Sequence, residues 1–470
     1  MNDGTMLDLA SRGKKDAFFI QDPRRTWFGT SYEQRTPSSR EVRRVYTEAP
    51  PQFGTWTDIE LPRYGDVLVN ADIRIQMPTW LPPDIAALNN AGHLVEVESQ
   101  TPGTFLQYGW TNSIANYLVQ RWAIFADSYM LAEGWGEFNA WYPDMETDQM
   151  HAPPIHATTG THDGSNLKIA LNATPPELVF RLPLFGCQYQ GDVGLPLCAI
   201  PGQRLYLRLW LADKSKLVES TAITFALLEG EGPLLGQLPM YELCPTPWGS
   251  RRIKVDGILV DAVTKTIPDM GNPYLYGSYT VLHLEEEARS ALRSQPLEVL
   301  FRQQRREDWT IPAALWHPGS ALRHRLEIHG FFQALFFGII STARRLQNKY
   351  RDITPPGNGE WLTNMALDVN GTERIQYWSP KKFRDLAQNT QLHRDVAVSL
   401  YNLIFGVNPE EEPAGPCNLS RTQKVQLLMD LAIIPTDPAS SDRTAFAFLF
   451  GMSWNVLDIR DGTCMVRFPD

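Results

Sequence analysis

Few residues in this 470-residue chain are spaced as catalysis would need them. Gly451-Met452-Ser453-Trp454-Asn455 opens like the Gly-x-Ser-x-Gly turn that exposes a nucleophilic serine, but Asn455 stands where the second glycine belongs. The segment reads as strand. His151, His156, His162 and Asp163 supply donor types that zinc or copper accept. Their spacing matches no ligand pattern, and the intervening prolines and glycines would not hold a fixed geometry, so a solvated loop without metal is expected. Glu285-Glu286-Glu287 and Glu410-Glu411-Glu412 could pair carboxylates for glycoside hydrolysis, which needs two acids facing across ~5–10 Å. Neighbours on a strand point to opposite faces, so each run reads as a solvated loop or edge. Arg302, Arg305, Arg306, Arg323, Arg325, Arg344 and Arg345 could bind anions, but interspersed acids favour salt bridges across strands or subunits. Phosphate-binding glycine loops and the paired-histidine zinc helix are missing from the sequence. No catalytic, cofactor-binding or metal residue is assigned.

The chain exceeds the ~250–300 residues at which single cores stop growing, so two domains are expected. Its 35 Pro and 33 Gly, spread throughout, favour many short elements joined by turns, hence an all-β class. A net charge of −10 without a long basic run argues against direct nucleic-acid binding. Five scattered cysteines, Cys187, Cys198, Cys244, Cys417 and Cys464, form neither a disulfide framework nor a zinc ribbon. The N-terminus lacks the apolar core of a signal peptide, so the sequons at Asn172, Asn370 and Asn418 are expected to stay unmodified. The most apolar run, Phe331–Ile340, is half the ~20 residues of a membrane helix and reads as buried strand.

Residues 1–30 read as an arm. β-type runs recur from Val42 onward, among them Val67–Met77, Arg121–Asp127 and Gln203–Leu211 in the first half. The second half carries Leu297–Arg302, Leu335–Thr342, Trp361–Val369, Thr372–Trp378, Ala445–Phe450 and Trp454–Ile459. Asn370-Gly371 between alternating apolar residues is the strongest local signal, that of a two-residue type I′ hairpin. The Gly/Pro-rich stretch Glu229–Gly236 is the best internal boundary and divides the chain into 31–232 and 233–470. Trp80–Ala91, Asp144–Leu167 and Gln303–Ser320 read as long surface loops. No residue-level repeat links the halves.

Several segments together resemble the major capsid protein of nucleocytoplasmic large DNA viruses, the iridovirus, phycodnavirus and marseillevirus type. They are Leu7–Phe28, Tyr108–Asn116 running on to Gly134–Trp141, Leu182–Cys187 with Gly194–Ile200, Asn408–Arg421, and Trp454–Gly462. Asn408–Arg421 is the most specific, although Ala414 stands where the family usually has serine. The resemblance implies two consecutive eight-stranded jelly-roll sandwiches with long loops and a few short helices. It further implies a homotrimeric, pseudo-hexameric capsomer that tiles an icosahedral shell, built in the host cytoplasm and located in the virion. The implied partners are further copies of the chain, neighbouring capsomers, minor capsid and penton proteins and internal-membrane proteins, with no enzyme activity or cofactor. Two alternatives stand beside this: a trimeric scaffold or minor capsid paralogue, and a glycan-binding β-sandwich presenting Trp80, Trp110 and Trp309 on loops. Pro413–Arg421 has a structural reading of its own, with Asn418 and Ser420 satisfying backbone groups at a strand start.

Overall fold

The computed structural model describes residues 37–468 apart from 99–102, 147–156, 162–174, 183–193, 221–248, 261–264, 268–270, 317–319, 354–359, 387–399, 406–414, 433–443 and single residues 62, 104, 176 and 423. The N-terminal arm and the Glu229–Gly236 boundary therefore lie outside the described residues. Sixteen strands build the main sheets. The first eight are β1 (Ser38–Tyr46), β2 (Trp56–Glu60), β3 (Val67–Gln76), β4 (Val119–Ala126), β5 (Tyr129–Trp135), β6 (Leu178–Arg181), β7 (Leu205–Leu211) and β8 (Tyr274–Leu284). They form two four-stranded sheets, ordered β1-β8-β3-β6 and β2-β7-β4-β5. Alternation decides which face is inside: in β7 the leucines 205, 207, 209 and 211 are buried, while Tyr206, Arg208 and Trp210 are half-exposed. Ile73 and Phe180 of one sheet and Leu207 and Ile124 of the other share one apolar core.

The remaining eight are β9 (Leu297–Ile311), β10 (Ala321–Leu326), β11 (Phe331–Ser341), β12 (Leu362–Val369), β13 (Thr372–Trp378), β14 (Tyr401–Ile404), β15 (Val425–Leu431) and β16 (Ala445–Arg460). Their sheets are ordered β9-β16-β11-β14 and β10-β15-β12-β13, the first extended by the short strands Cys417–Asn418 and Thr463–Val466. Adding eight to each strand of the first sandwich reproduces the second. The shared 1-8-3-6 and 2-7-4-5 order is that of a jelly roll, so the chain is two eight-stranded jelly rolls in sequence. By pairing, β8 belongs to the first, with Leu275 opposite Ile75, and Ile253–Val255 pairs with Val95–Val97. Both segments follow residue 232 in the chain.

Local sequence accounts for some elements. Asn370 and Gly371 both take positive φ, 55° and 85°, as a type I′ turn requires, and join β12 to β13. Trp80–Ala91 is not a loop throughout: Pro83–Asn90 forms a helix, α1, with Pro83 at its first position, where a missing N–H costs nothing. Nor is Gln303 the start of a loop, because β9 runs on to Ile311 opposite an equally unbroken β16. Further helices are α2 (Ile114–Leu118), α3 (Gly136–Glu146), α4 (Glu286–Ser294) and α5 (Thr342–Leu346).

Candidate functional site: the seam between the jelly rolls

The residues considered for chemistry take structural places. Ser453 sits within β16, where its hydroxyl accepts a hydrogen bond from the Phe331 amide at 2.9 Å. Glu285–Glu287 are neither loop nor sheet edge: Glu285 stands at the N-cap position of α4 without a side-chain capping bond, and the other two fill its first turn, where the helix dipole favours carboxylates. His151, His156, His162, Asp163 and Glu410–Glu412 lie outside the described residues. Among the described residues no three His, Cys, Asp or Glu side chains group as metal ligands. Cys198, Cys417 and Cys464 are free thiols, and burial pushes Cys464 up to about 12, which keeps it unreactive. Asn418 does serve its backbone, accepting from the Ser420 amide at 3.1 Å.

What the fold assembles instead is a buried joint. Strand β11 sends Leu335, Phe337 and Ile339 into the second core and Phe336 and Ile340 the other way. There they meet Phe138 and Trp141 of α3, a helix of the first roll, together with Phe448 and Phe450. Phe138 stands edge-on to Phe450 at 5.3 Å, and Trp141 stacks on Phe448 at 6.4 Å. A sheet face that would meet water in a single jelly roll is thus covered by the other roll, which explains the uninterrupted apolar run of β11. The long strands β9 and β16 also leave their own sandwich: Val299, Phe301, Leu457 and Ile459 join the first core.

Polar groups at the joint are matched across it. Gln304 accepts from the Trp135 amide at 2.9 Å and donates to Asn139 at 3.1 Å. Arg306 pairs with Glu137 of α3 and with Asp308, both at 2.8 Å. Burial works to lower its pKa, but the two carboxylates outweigh it and hold the guanidinium above its ordinary value. Arg306 thereby links β9 to α3. A second strap follows α5. Asn348, at φ 64°, donates to the Ser215 and Val218 carbonyls at 2.8 and 2.7 Å, and Thr111 donates to the Asn348 carbonyl at 2.6 Å. Beside it Glu219 is 4% exposed and accepts from the Asn112 amide at 2.6 Å. Burial pushes Glu219 up to about 7 and lowers the neighbouring Lys349. Sequence reasoning missed this joint; its one visible trace was polar residues, Gln303 to Arg306, interrupting a strand pattern.

No family model and no curated protein matches the chain. Solved structures do. The quasi-atomic model of the PBCV-1 virus capsid aligns at 14% identity over 95% of this chain and 100% of that one, with a TM-score of 0.67. The Faustovirus major capsid protein aligns at 12% over 96% and 95%, at 0.61, and the mavirus major capsid protein at 8% over 96% and 95%, at 0.52. This chain is a double jelly roll. The alignments span 95–96% of this chain and 95–100% of the chains compared. The first core of this chain buries two of the tryptophans that a glycan-binding reading places on loops: Trp80 and Trp110 are 0% exposed and pack edge to face at 4.9 Å. Trp309 lies between His324 and Phe337, at 3.9 and 5.4 Å.

Proposed function

We propose that this chain is a viral major capsid protein and performs no catalysis. The observation that carries the proposal is the repeated strand order: two jelly rolls in one chain present two similar lobes. Three chains about a threefold axis then present six, and a trimer can occupy a hexagonal lattice position. For this the two rolls must keep a fixed relative orientation, a role suited to the aromatic seam and the Asn348 strap. The domain division we adopt follows the strands, with the first roll ending at Leu284 and the second beginning at Leu297. In this reading the partners are two further copies, neighbouring capsomers, minor capsid and penton proteins, and proteins of an internal membrane. The location is the virion shell after assembly in host cytoplasm, and the acidic chain does not contact the genome directly.

Light scattering coupled to size exclusion tests the proposal. A mass near three times 53.3 kDa, stable on dilution, is expected, with hexagonal arrays at high concentration in electron micrographs. A monomer at every concentration and salt level overturns it. A trimer that is scarce in purified particles would assign the chain to a scaffold or minor paralogue.

A further inference from the structure

The seam is not filled throughout. Bordered by α2, the Ser215–Lys216 turn and the segment Thr342–Tyr350 lies a cleft of about 620 Å³, within the range of small-molecule sites. Tyr117 forms part of its wall. Its ring stacks on Tyr350 at 4.7 Å, and Tyr350 is itself tied to the Lys216 carbonyl at 2.9 Å. Only 8% of Tyr117 is exposed, yet its hydroxyl has no hydrogen-bond partner among the described residues. A buried hydroxyl left unpaired is costly, and such groups are rare unless something else completes them.

A second donor lines the same cleft. Arg345 Nη1 is buried without a hydrogen bond, 3.9 Å from the nearer oxygen of Glu137, while its guanidinium lies over the Phe446 ring at 3.6 Å. The other Glu137 oxygen is committed to Arg306. Among the described residues Glu137 is the one carboxylate in the lining, against Arg121, Lys216, Arg306 and Arg345. Arg121 and Arg306 have carboxylate partners in Glu133 and Asp308, Arg345 shares Glu137 with Arg306, and Lys216 acts on Asp213, so the lining itself still sets four cations against one carboxylate. Unsatisfied donors and surplus positive charge, in a chain of net charge −10, call for an anion with several acceptor oxygens.

We propose that this cleft binds a compact phosphate-bearing molecule, held by Tyr117 and Arg345 with Lys216 at the rim. Tyr117 and Lys216 come from the first roll and Arg345 from the second, so the bound ligand braces the joint. A phosphate fits better than a carboxylate because it brings more charge and three free acceptor oxygens. The aromatic wall of Trp135, Tyr117 and Tyr350 leaves room for a flat ring beside it.

The test uses the full chain in its native assembly state, titrated by calorimetry with inorganic phosphate, pyrophosphate and AMP at constant ionic strength, with melting followed in parallel. Saturable binding of one probe per chain and a raised melting temperature are expected. Tyr117→Phe keeps the stacked ring and should weaken binding about fivefold, the effect of one hydrogen bond. Arg345→Gln should weaken it more than tenfold. Without probe, Tyr117→Phe should melt no lower than the parent, since it deletes an unpaired group. Tighter binding of AMP than of phosphate supports the site and assigns the aromatic wall to a base; equal binding supports it for the phosphate alone. No saturable binding of any probe, or binding unchanged in both variants, overturns the proposal. So does a Tyr117→Phe variant that is destabilised in the absence of probe, because its hydroxyl would then have a partner within the chain.

Discussion

Replacing Phe138 by alanine should weaken the joint between the rolls more than it weakens either core. The side chain is 1% exposed and belongs to the seam cluster; among its ring neighbours are Phe336 at 6.4 Å and Phe450 at 5.3 Å, both in the second roll. A buried Phe→Ala change costs ~3–5 kcal/mol, and loss of the edge-to-face contact places this one in the upper part of that range. Unfolding entropy of ~2.1 cal/mol/K per residue over 470 residues gives roughly 1 kcal/mol/K, so ~4 kcal/mol lowers the midpoint by about 4 °C if the two rolls melt as one. Differential scanning calorimetry should show that drop, together with broadening or splitting of the peak as the rolls uncouple. Phe138→Leu should lose less than half as much. A Phe138→Ala variant that melts within 1 °C of the parent in a single sharp peak would show that α3 does not couple the rolls.

Other expectations follow from single positions. In Gly136→Ala the new Cβ would lie 1.9 Å from the Asn116 carbonyl oxygen and 2.0 Å from that of Val119; backbone atoms cannot retreat, so soluble expression should fall sharply, and normal yield would contradict the packing of α3 on α2. Gly371→Ala meets nothing within 4 Å but forces alanine to φ 85°, so a denaturant midpoint should report a purely conformational loss of about 1 kcal/mol. Glu219 has a folded-state pKa of about 7, above the ordinary 4.5; the stability linked to its protonation is complete below the unfolded value and is lost as pH rises through 7. Glu219→Gln should therefore gain on the parent between pH 5 and pH 8, by on the order of 3 kcal/mol at most. A parent-to-variant difference in urea midpoint that is flat across that range would mean Glu219 titrates normally.

The sequence alone was enough wherever a few neighbouring residues carry the physics. Asn370-Gly371 can enter positive φ where most residues cannot, so the β12–β13 hairpin and its two-residue turn were legible. The all-β class followed from short runs bounded by turns, and the ten apolar residues Phe331–Ile340 announced a buried strand. Their order along the chain, with the capsid-like segments, pointed to two jelly rolls.

Tertiary structure decided the rest, because the deciding partners lie far off in the chain. Gln303–Arg306 look like a strand end, yet β9 continues through them because Trp135, Glu137 and Asn139 satisfy their side chains from 165–170 positions away. The eighth strand of the first roll lies beyond the Gly/Pro-rich midpoint; only its pairing with β3 reveals where it belongs. Trp80 and Trp110, set among turn residues, read as surface aromatics until the fold closes over them. Phe336 and Phe337 are chemically identical neighbours. The pleat sends one into a jelly-roll core and the other into the seam, and what covers the seam is a helix two hundred residues earlier.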